Sequence, residues 1–293
     1  ADAQWGLGVC FAYGYWVDAD AVEAFKWYRK AAEQGLAEAQ RSLGDCYRGG
    51  EGVAKDLEQA VKWYRKAAEQ GHAGGRSRLG SCYFYGYGVE KSIEVGISFW
   101  RKAAEGGDSF AQTKLGDCYC HGDGVRQDYG EAVSWYRKAA GRGYALDAQF
   151  NLGVCYLKGN GVAKDSVEAV KWFRTAATQN HARAQHTLGI CFEHGFGVVK
   201  DEVEAVKWYR AAAEQGLAEA QYSLAACYAN GSGVPKDYLQ AYKWMNLASA
   251  QGNKTAKDYL PDIEGRMTAQ QIAEAQRLAR EFKPRNTAAS RNV

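Results

Sequence analysis

A right-handed α/α solenoid, an all-α fold of stacked antiparallel helix pairs, is the architecture that three features of the 293-residue sequence predict. The first is a cysteine that recurs at 10, 46, 82, 118, 155, 191 and 227, in steps of 36, 36, 36, 37, 36 and 36 residues. It sits inside related pentapeptides: LGDCY at 43–47 and again at 115–119, LGVCY at 152–156, LAACY at 224–228. The second is an aromatic 17 positions after each cysteine, at Trp27, Trp63, Phe99, Trp135, Trp172, Trp208 and Trp244. The third is a glycine-rich break between two short amphipathic stretches in each period. A fixed short period marks units that bury apolar surface only against their neighbours, so the chain reads as one elongated array.

Seven repeats are expected at about 1–36, 37–72, 73–108, 109–144, 145–181, 182–217 and 218–252, with the one extra residue at Tyr144 to Asp147. In the second repeat Ala37, Ala39, Leu43, Cys46 and Tyr47 recur near a 3.6-residue spacing and mark a short first helix, which Gly49, Gly50 and Gly52 end. Asp56 opens the second helix, with Gln59 three residues on as the other half of a capping box. Ala60, Trp63, Tyr64, Ala67 and Ala68 form its apolar side, and Gly71 closes it. The same start recurs as Asp20…Glu23, Asp128…Glu131, Asp165…Glu168, Asp201…Glu204 and Asp237…Gln240, whereas Ser92…Val95 keeps only the cap.

After the seventh repeat, residues 253–284 are expected to form capping helices, with Thr268 and Gln271 as a further capping box and Gln270, Glu274, Arg277 and Arg280 as a polar outer face. The tail, 285–293, is expected to be disordered. Ala1 coincides with a repeat boundary, which suggests processing or a chosen segment, and a leader removed earlier would leave secretion open.

The 37 basic and 34 acidic residues leave a net charge of +3, too little to draw in nucleic acid or an anionic membrane. No apolar run approaches the ~20 residues of a membrane helix. No nucleic-acid partner and no membrane insertion are therefore expected, although solenoids that read one base per repeat share this architecture.

The pattern A-x-A-Q-x-x-L-G-x-C-Y-x-x-G-x-G-V-x-K-D-x-x-x-A-V-x-W-Y-R-K-A-A-x-Q-G resembles the Sel-like repeat (SLR) family, the suppressor/enhancer-of-lin type of helical repeat related to tetratricopeptide repeats. The likeness covers about 250 residues in seven copies, and RMTAQQIAEAQRLAREFKP is similar to the C-terminal segment of bacterial members. It implies a scaffold or adaptor that holds another protein. The cysteine-rich secreted branch of Helicobacter staples each repeat with a second cysteine; here that stretch is AAEQG or a close variant, so the extracellular disulfide reading does not carry over.

Equivalent cysteines one repeat apart cannot pair, because helix axes ~8–10 Å apart exceed the ~7 Å reach of a disulfide. Seven copies at one amphipathic position read as small core residues. Cys120, off register in DCYCHG, is the cysteine expected at the surface. Eight cysteines with no evident pairing scheme lean toward a reducing compartment.

His181, His186, Cys191 and His194 lie close in sequence but out of phase for zinc. GEGVAKD and its relatives lack the G-K-[ST] ending of a phosphate loop, and neither G-x-S-x-G nor H-E-x-x-H occurs. No catalytic residue, metal or cofactor is expected.

Recognition is expected where the core leaves positions free, on the concave face lined by the first helices. The candidates are Trp5, Tyr13, Arg41, Arg48, Arg78, Phe84, Lys114, His121, Phe150, Asn151, His186, His194 and Tyr222. Exposed aromatics and arginines anchor protein interfaces, and the basic residues suit acidic side chains or a carboxylate terminus. The predicted function is a non-enzymatic scaffold for a peptide or protein; the alternative is a hydrolase or metal-dependent enzyme around His121, His186 and His194. Trp5 with Tyr15 and Trp16 is a candidate for end-to-end self-association through the first repeat.

Overall fold

The computed structural model describes residues 1–141 and 145–285. The insertion expected at Tyr144 to Asp147 falls partly outside that range, as does all of the expected tail except Arg285. The described residues form sixteen helices and no strand, in two compact units, Ala1–Ala145 and Leu146–Val293.

The first unit holds α1 (Asp2–Tyr13), α2 (Ala21–Glu33), α3 (Ala37–Gly49), α4 (Leu57–Glu69), α5 (Ala73–Tyr85), α6 (Ile93–Glu105), α7 (Ser109–His121) and α8 (Tyr129–Ala140). The second holds α9 (Leu146–Lys158), α10 (Ser166–Thr178), α11 (Ala182–His194), α12 (Glu202–Glu214), α13 (Ala218–Asn230), α14 (Tyr238–Ala250), α15 (Lys254–Glu264) and α16 (Ala269–Glu281). Odd-numbered helices through α13 are the first helices of their repeats, and each packs on the helix that follows it.

The cysteine slot is packing. Ala39, Leu43 and Cys46 are 0%, 0% and 4% exposed, and Cys82, Cys118, Cys155, Cys191 and Cys227 are buried likewise. The backbone at this slot ends the helix, because the Cys46 carbonyl accepts both the Gly50 and Glu51 amides at 2.8 and 3.0 Å. No disulfide joins any of the eight cysteines, and Cys10 is half-buried as Cys120 is, so Cys120 does not stand apart in exposure as expected.

The glycine before each cysteine is where the two helices meet. A Cβ on Gly44 would lie 2.5 Å from the Tyr64 ring, and Gly116 and Gly189 show the same distance to Tyr136 and Tyr209. In the seventh repeat Ala225 takes the glycine slot, and the opposing residue is the flexible Met245 instead of a ring. The aromatic that fills the core is thus the residue after the marker aromatic. Tyr64 is 0% exposed, whereas Trp63 is half-buried beneath Lys66, whose Nζ sits 4.0 Å from the ring centroid.

The Asp caps form without the reciprocal half of a box. Asp56 Oδ1 accepts the Gln59 amide at 2.9 Å, but the Asp56 N–H that a box would use donates to the Tyr47 carbonyl at 2.8 Å. That bond straps each second helix to its first helix, and it recurs from Asp20 to Phe11, Asp128 to Tyr119 and Asp201 to Phe192. A full reciprocal box forms at Thr268 and Gln271, which open α16. There Ala275 is buried against the seventh repeat, Phe282 meets Trp244 edge-on at 5.3 Å, and Arg277 bonds Glu274 and Glu281 on the outer side.

Sequence periodicity also misses a buried polar ladder. Gln40 is 5% exposed; its Nε2 donates to the Ala32 carbonyl at 3.3 Å and its Oε1 accepts from Gln70 at 2.7 Å. Gln185 with Gln215, and Gln221 with Gln251, repeat the arrangement at 2.7 and 2.8 Å. Each of these three buried amides finds partners, which is what makes its burial tolerable.

Candidate functional site

The most developed polar constellation lies on the first-helix side of the first unit and begins with a structural need. The Tyr64 ring is wholly buried, so its hydroxyl requires an acceptor, and Asp45 on α3 supplies Oδ1 at 2.7 Å. Burial, reinforced by the Asp45 charge, holds the phenol in its neutral form well above the usual range. Asp45 then gathers cations: Arg41 one turn earlier at 2.6 Å, Arg78 from α5 at 3.3 Å and Arg48 at 3.7 Å.

The constellation extends along the unit through aromatic contacts. Arg78 and Lys114 lie over the Phe110 ring at 5.3 and 5.5 Å. Lys114 pairs with Asp117 at 3.1 Å, and Asp117 accepts the Tyr136 hydroxyl at 2.9 Å. At the other end Trp5 Nε1 donates to Ser42 Oγ at 3.2 Å, and Arg41 reaches the same oxygen at 3.5 Å. Trp5, Arg41, Arg48, Arg78 and Lys114 are thereby brought together in one unit. Tyr13 is exposed, and its phenol is raised above the usual value first by partial burial, with the Arg41 charge opposing and the Asp45 charge adding to the shift. Phe84 is half-buried and leans on Trp100 at 4.7 Å, so part of its ring belongs to the core.

In the second unit the equivalent positions do other work. Phe150 is 5% exposed, packed against Phe173 at 5.7 Å and His181 at 5.3 Å, with Arg183 over its ring at 4.5 Å. It is a core residue, and the expectation that it is an exposed anchor is corrected: His181, in the turn that ends its own repeat, and Arg183, at the start of the next, cover it. His186 bonds Ser223 at 3.1 Å, the same fifth-to-sixth-position link between repeats that Trp5 makes to Ser42. Asn151 and Tyr222 are half-buried, Tyr222 lying 6.4 Å from Tyr259.

Nucleophilic and metal chemistry find little support in the geometry. Burial pushes the Cys46 and Cys118 thiols up to about 12, and those of Cys82 and Cys191 up to about 11, far from a reactive thiolate. His121 turns Nδ1 to the Asp117 carbonyl of its own helix at 2.8 Å, and His194 meets Phe196 edge-on at 5.4 Å. Burial lowers the His186 imidazole below its usual value. Among the described residues no three His, Cys, Asp or Glu converge as a metal site would require.

The glycine loops have a stacking task. A Cβ on Gly52 would fall 1.9 Å from the Ala21 carbonyl oxygen, and one on Gly88 2.3 Å from that of Leu57, so each loop sits on the first turn of the preceding repeat's second helix. Trp16 takes this slot in the first repeat, with φ +61 like the glycines it replaces, and is 97% exposed.

The Sel1 repeat model matches residues 1–36, 37–72, 75–108, 109–144, 146–181, 182–217 and 218–253. The chain belongs to the Sel1 repeat family. Proteins built of Sel1 and related tetratricopeptide-like repeats commonly serve as protein-interaction scaffolds, and the family is in general not one of enzymes. A Sel1 repeat protein from Oxalobacter formigenes is 34% identical, with a TM-score of 0.71 over 89% of this chain and 75% of that one.

A protective antigen of uropathogenic Escherichia coli with an SLR fold is 28% identical, with a TM-score of 0.50 over 99% of this chain and 86% of the other. An immunity protein from Pseudomonas aeruginosa, 23% identical with a TM-score of 0.55 over 73% of this chain and 80% of the other, shares the fold. No curated protein matches the sequence. Among the described residues, no helix of this Sel1 repeat chain is long and apolar enough to cross a membrane.

Proposed function

We propose that this Sel1 repeat chain is a non-enzymatic scaffold that binds a peptide or protein on the first-helix side of its repeats, the face expected to be concave. The observation that carries the reading is the convergence of Arg41, Arg48 and Arg78 on the single Asp45 carboxylate, with Trp5 and Tyr13 beside them and Lys114 further along the unit. In the second unit Asn151, His186, His194 and Tyr222 remain candidate contacts, Phe84 and His121 complete the set in the first, and Phe150 is left to the core.

Affinity capture from lysate of the source organism, wild type beside Arg41→Glu/Arg78→Glu, tests this. A partner held by wild type and lost by a variant with unchanged helicity supports the face assignment; the same capture by both removes it. Nucleic acid is not a proposed partner, given the net charge of +3. Eight cysteines with no pairing scheme in the sequence suit a reducing compartment.

Self-association through the first repeat is a subsidiary proposal, resting on the exposed Leu7, Tyr13, Tyr15 and Trp16. Trp16 constrains it. Since the glycine slot tolerates no Cβ against a stacked repeat, two chains would have to meet otherwise than repeats do. A sedimentation coefficient independent of concentration would end this proposal.

A further inference from the structure

The Asp45 cluster holds more cation than its structural task requires, and a comparison inside the first unit isolates the excess. Asp117 performs the same task as Asp45, accepting the hydroxyl of a core tyrosine, at 2.9 Å from Tyr136 against 2.7 Å from Tyr64. Yet the residues that stand where Arg41 and Arg48 flank Asp45 are the neutral Thr113 and Cys120. Arg41 and Arg48 are therefore not the requirement of a tyrosine–carboxylate pair.

Donor counting gives the same answer. Three guanidiniums bring about fifteen N–H donors, whereas one carboxylate offers about four acceptor directions, and the Tyr64 hydroxyl takes one of them. Arg41 spends one further donor on Ser42, and Arg78 lies over Phe110. Glu51, whose charge is felt at Tyr13 and Cys46, brings the nearby carboxylates to two against three arginines. The cations are reachable: the side chains of Arg48, Arg41 and Arg78 are 48%, 31% and 17% exposed.

Resting on the scaffold reading, we propose that this cluster is a receptor for a pair of adjacent acidic side chains on the partner segment, with Asp45 as the internal carboxylate against which they compete. Bidentate arginine–carboxylate bonds supply the recognition. Asp45 holds the guanidiniums in place and offsets part of their charge while the site is empty.

The test uses the full chain and an end-blocked, dye-labelled peptide, Gly-Ser-Glu-Glu-Phe-Gly, beside its Gln-Gln counterpart, read by fluorescence polarisation at low salt. The Glu-Glu probe is expected to bind at least about tenfold tighter than the Gln-Gln probe, and Arg41→Gln/Arg78→Gln to abolish that difference. Asp45→Asn supplies the decisive sign. It keeps an acceptor for Tyr64 and removes the competing charge, so it should tighten the Glu-Glu probe about three- to tenfold, a gain that misfolding cannot imitate.

Equal binding of the two probes, binding of neither, or unchanged or weaker binding to Asp45→Asn overturns the proposal. Displacement by an equal concentration of inorganic phosphate or of a short single-stranded RNA would assign the cluster to oxyanions in general or to nucleic acid, and would also overturn it. Partner capture that survives Arg41→Gln/Arg78→Gln would leave the scaffold reading standing while this assignment failed.

Discussion

The two units build the same kind of core and decorate it differently. In the first, Lys30, Lys66 and Lys138 lie over Trp27, Trp63 and Trp135 at 4.3, 4.0 and 4.0 Å; the second has Thr175, Ala211 and Leu247 at that position. Two positions before the aromatic that follows the glycine, the first unit has Asp45 and Asp117 where the second has Val154, Ile190 and Ala226. These losses are coupled to the core. Val154 goes with Phe173 and Ala226 with Met245, neither of which has a hydroxyl, while Tyr209, facing the loss at Ile190, finds Glu193 at 2.6 Å. Tyr28, which coexists with Val9, is the first-repeat exception. In the other repeats that carry a core tyrosine, the buried hydroxyl has its acceptor, because an unsatisfied one costs ~1–3 kcal/mol.

That contrast can be broken most severely at the fifth position of the first helices. Phe150→Ala should destabilise the second unit by about 3–5 kcal/mol, the cost of emptying a core aromatic site, as read by urea unfolding. Arg41→Ala, at the same position in the first unit, is half-exposed and ion-paired, and should cost about 1 kcal/mol or less. Equal losses would erase the distinction between a core-filling and a surface-facing residue at this position.

A smaller effect sharpens the coupling of hydroxyl and acceptor. Glu193→Leu should cost about 1–3 kcal/mol by stranding the Tyr209 hydroxyl, and Tyr209→Phe should recover most of it, recreating the apolar solution of Val154 and Phe173. A double-mutant cycle with no coupling energy would show that these pairings are incidental. The smallest effect concerns the lysine–tryptophan contacts. Lys66→Ala should lose, and Thr175→Lys gain, about 0.5 kcal/mol in chemical denaturation.

Much of the fold was legible because it is written seven times. The cysteine slot, the Asp caps and the glycine stops gave fourteen helices, and the capping box at Thr268 marked the last. The candidate site was legible in part. Arg41, Arg48, Arg78 and Lys114 were read as basic positions on one face, but the convergence of three of them on Asp45 was not. Asp45 falls at a position that varies among the repeats, as Val9, Ser81, Val154, Ile190 and Ala226 show, and periodicity within α3 does not announce that a tyrosine on the next helix, nineteen residues on, needs it.

The sequence by itself determined the repeat, because periodic apolar residues and local backbone chemistry act within one helix or one turn. Tertiary structure alone decided what each flank position meets. Phe150 lies where the turn into the next repeat brings His181 and the next helix brings Arg183, and so becomes core, whereas Arg41, at the same phase, meets Asp45 and solvent. Trp16 stands free where Gly52 must clear the Ala21 carbonyl. Periodicity fixes a residue's angle on its own helix, and burial depends on what a neighbouring repeat brings to that angle.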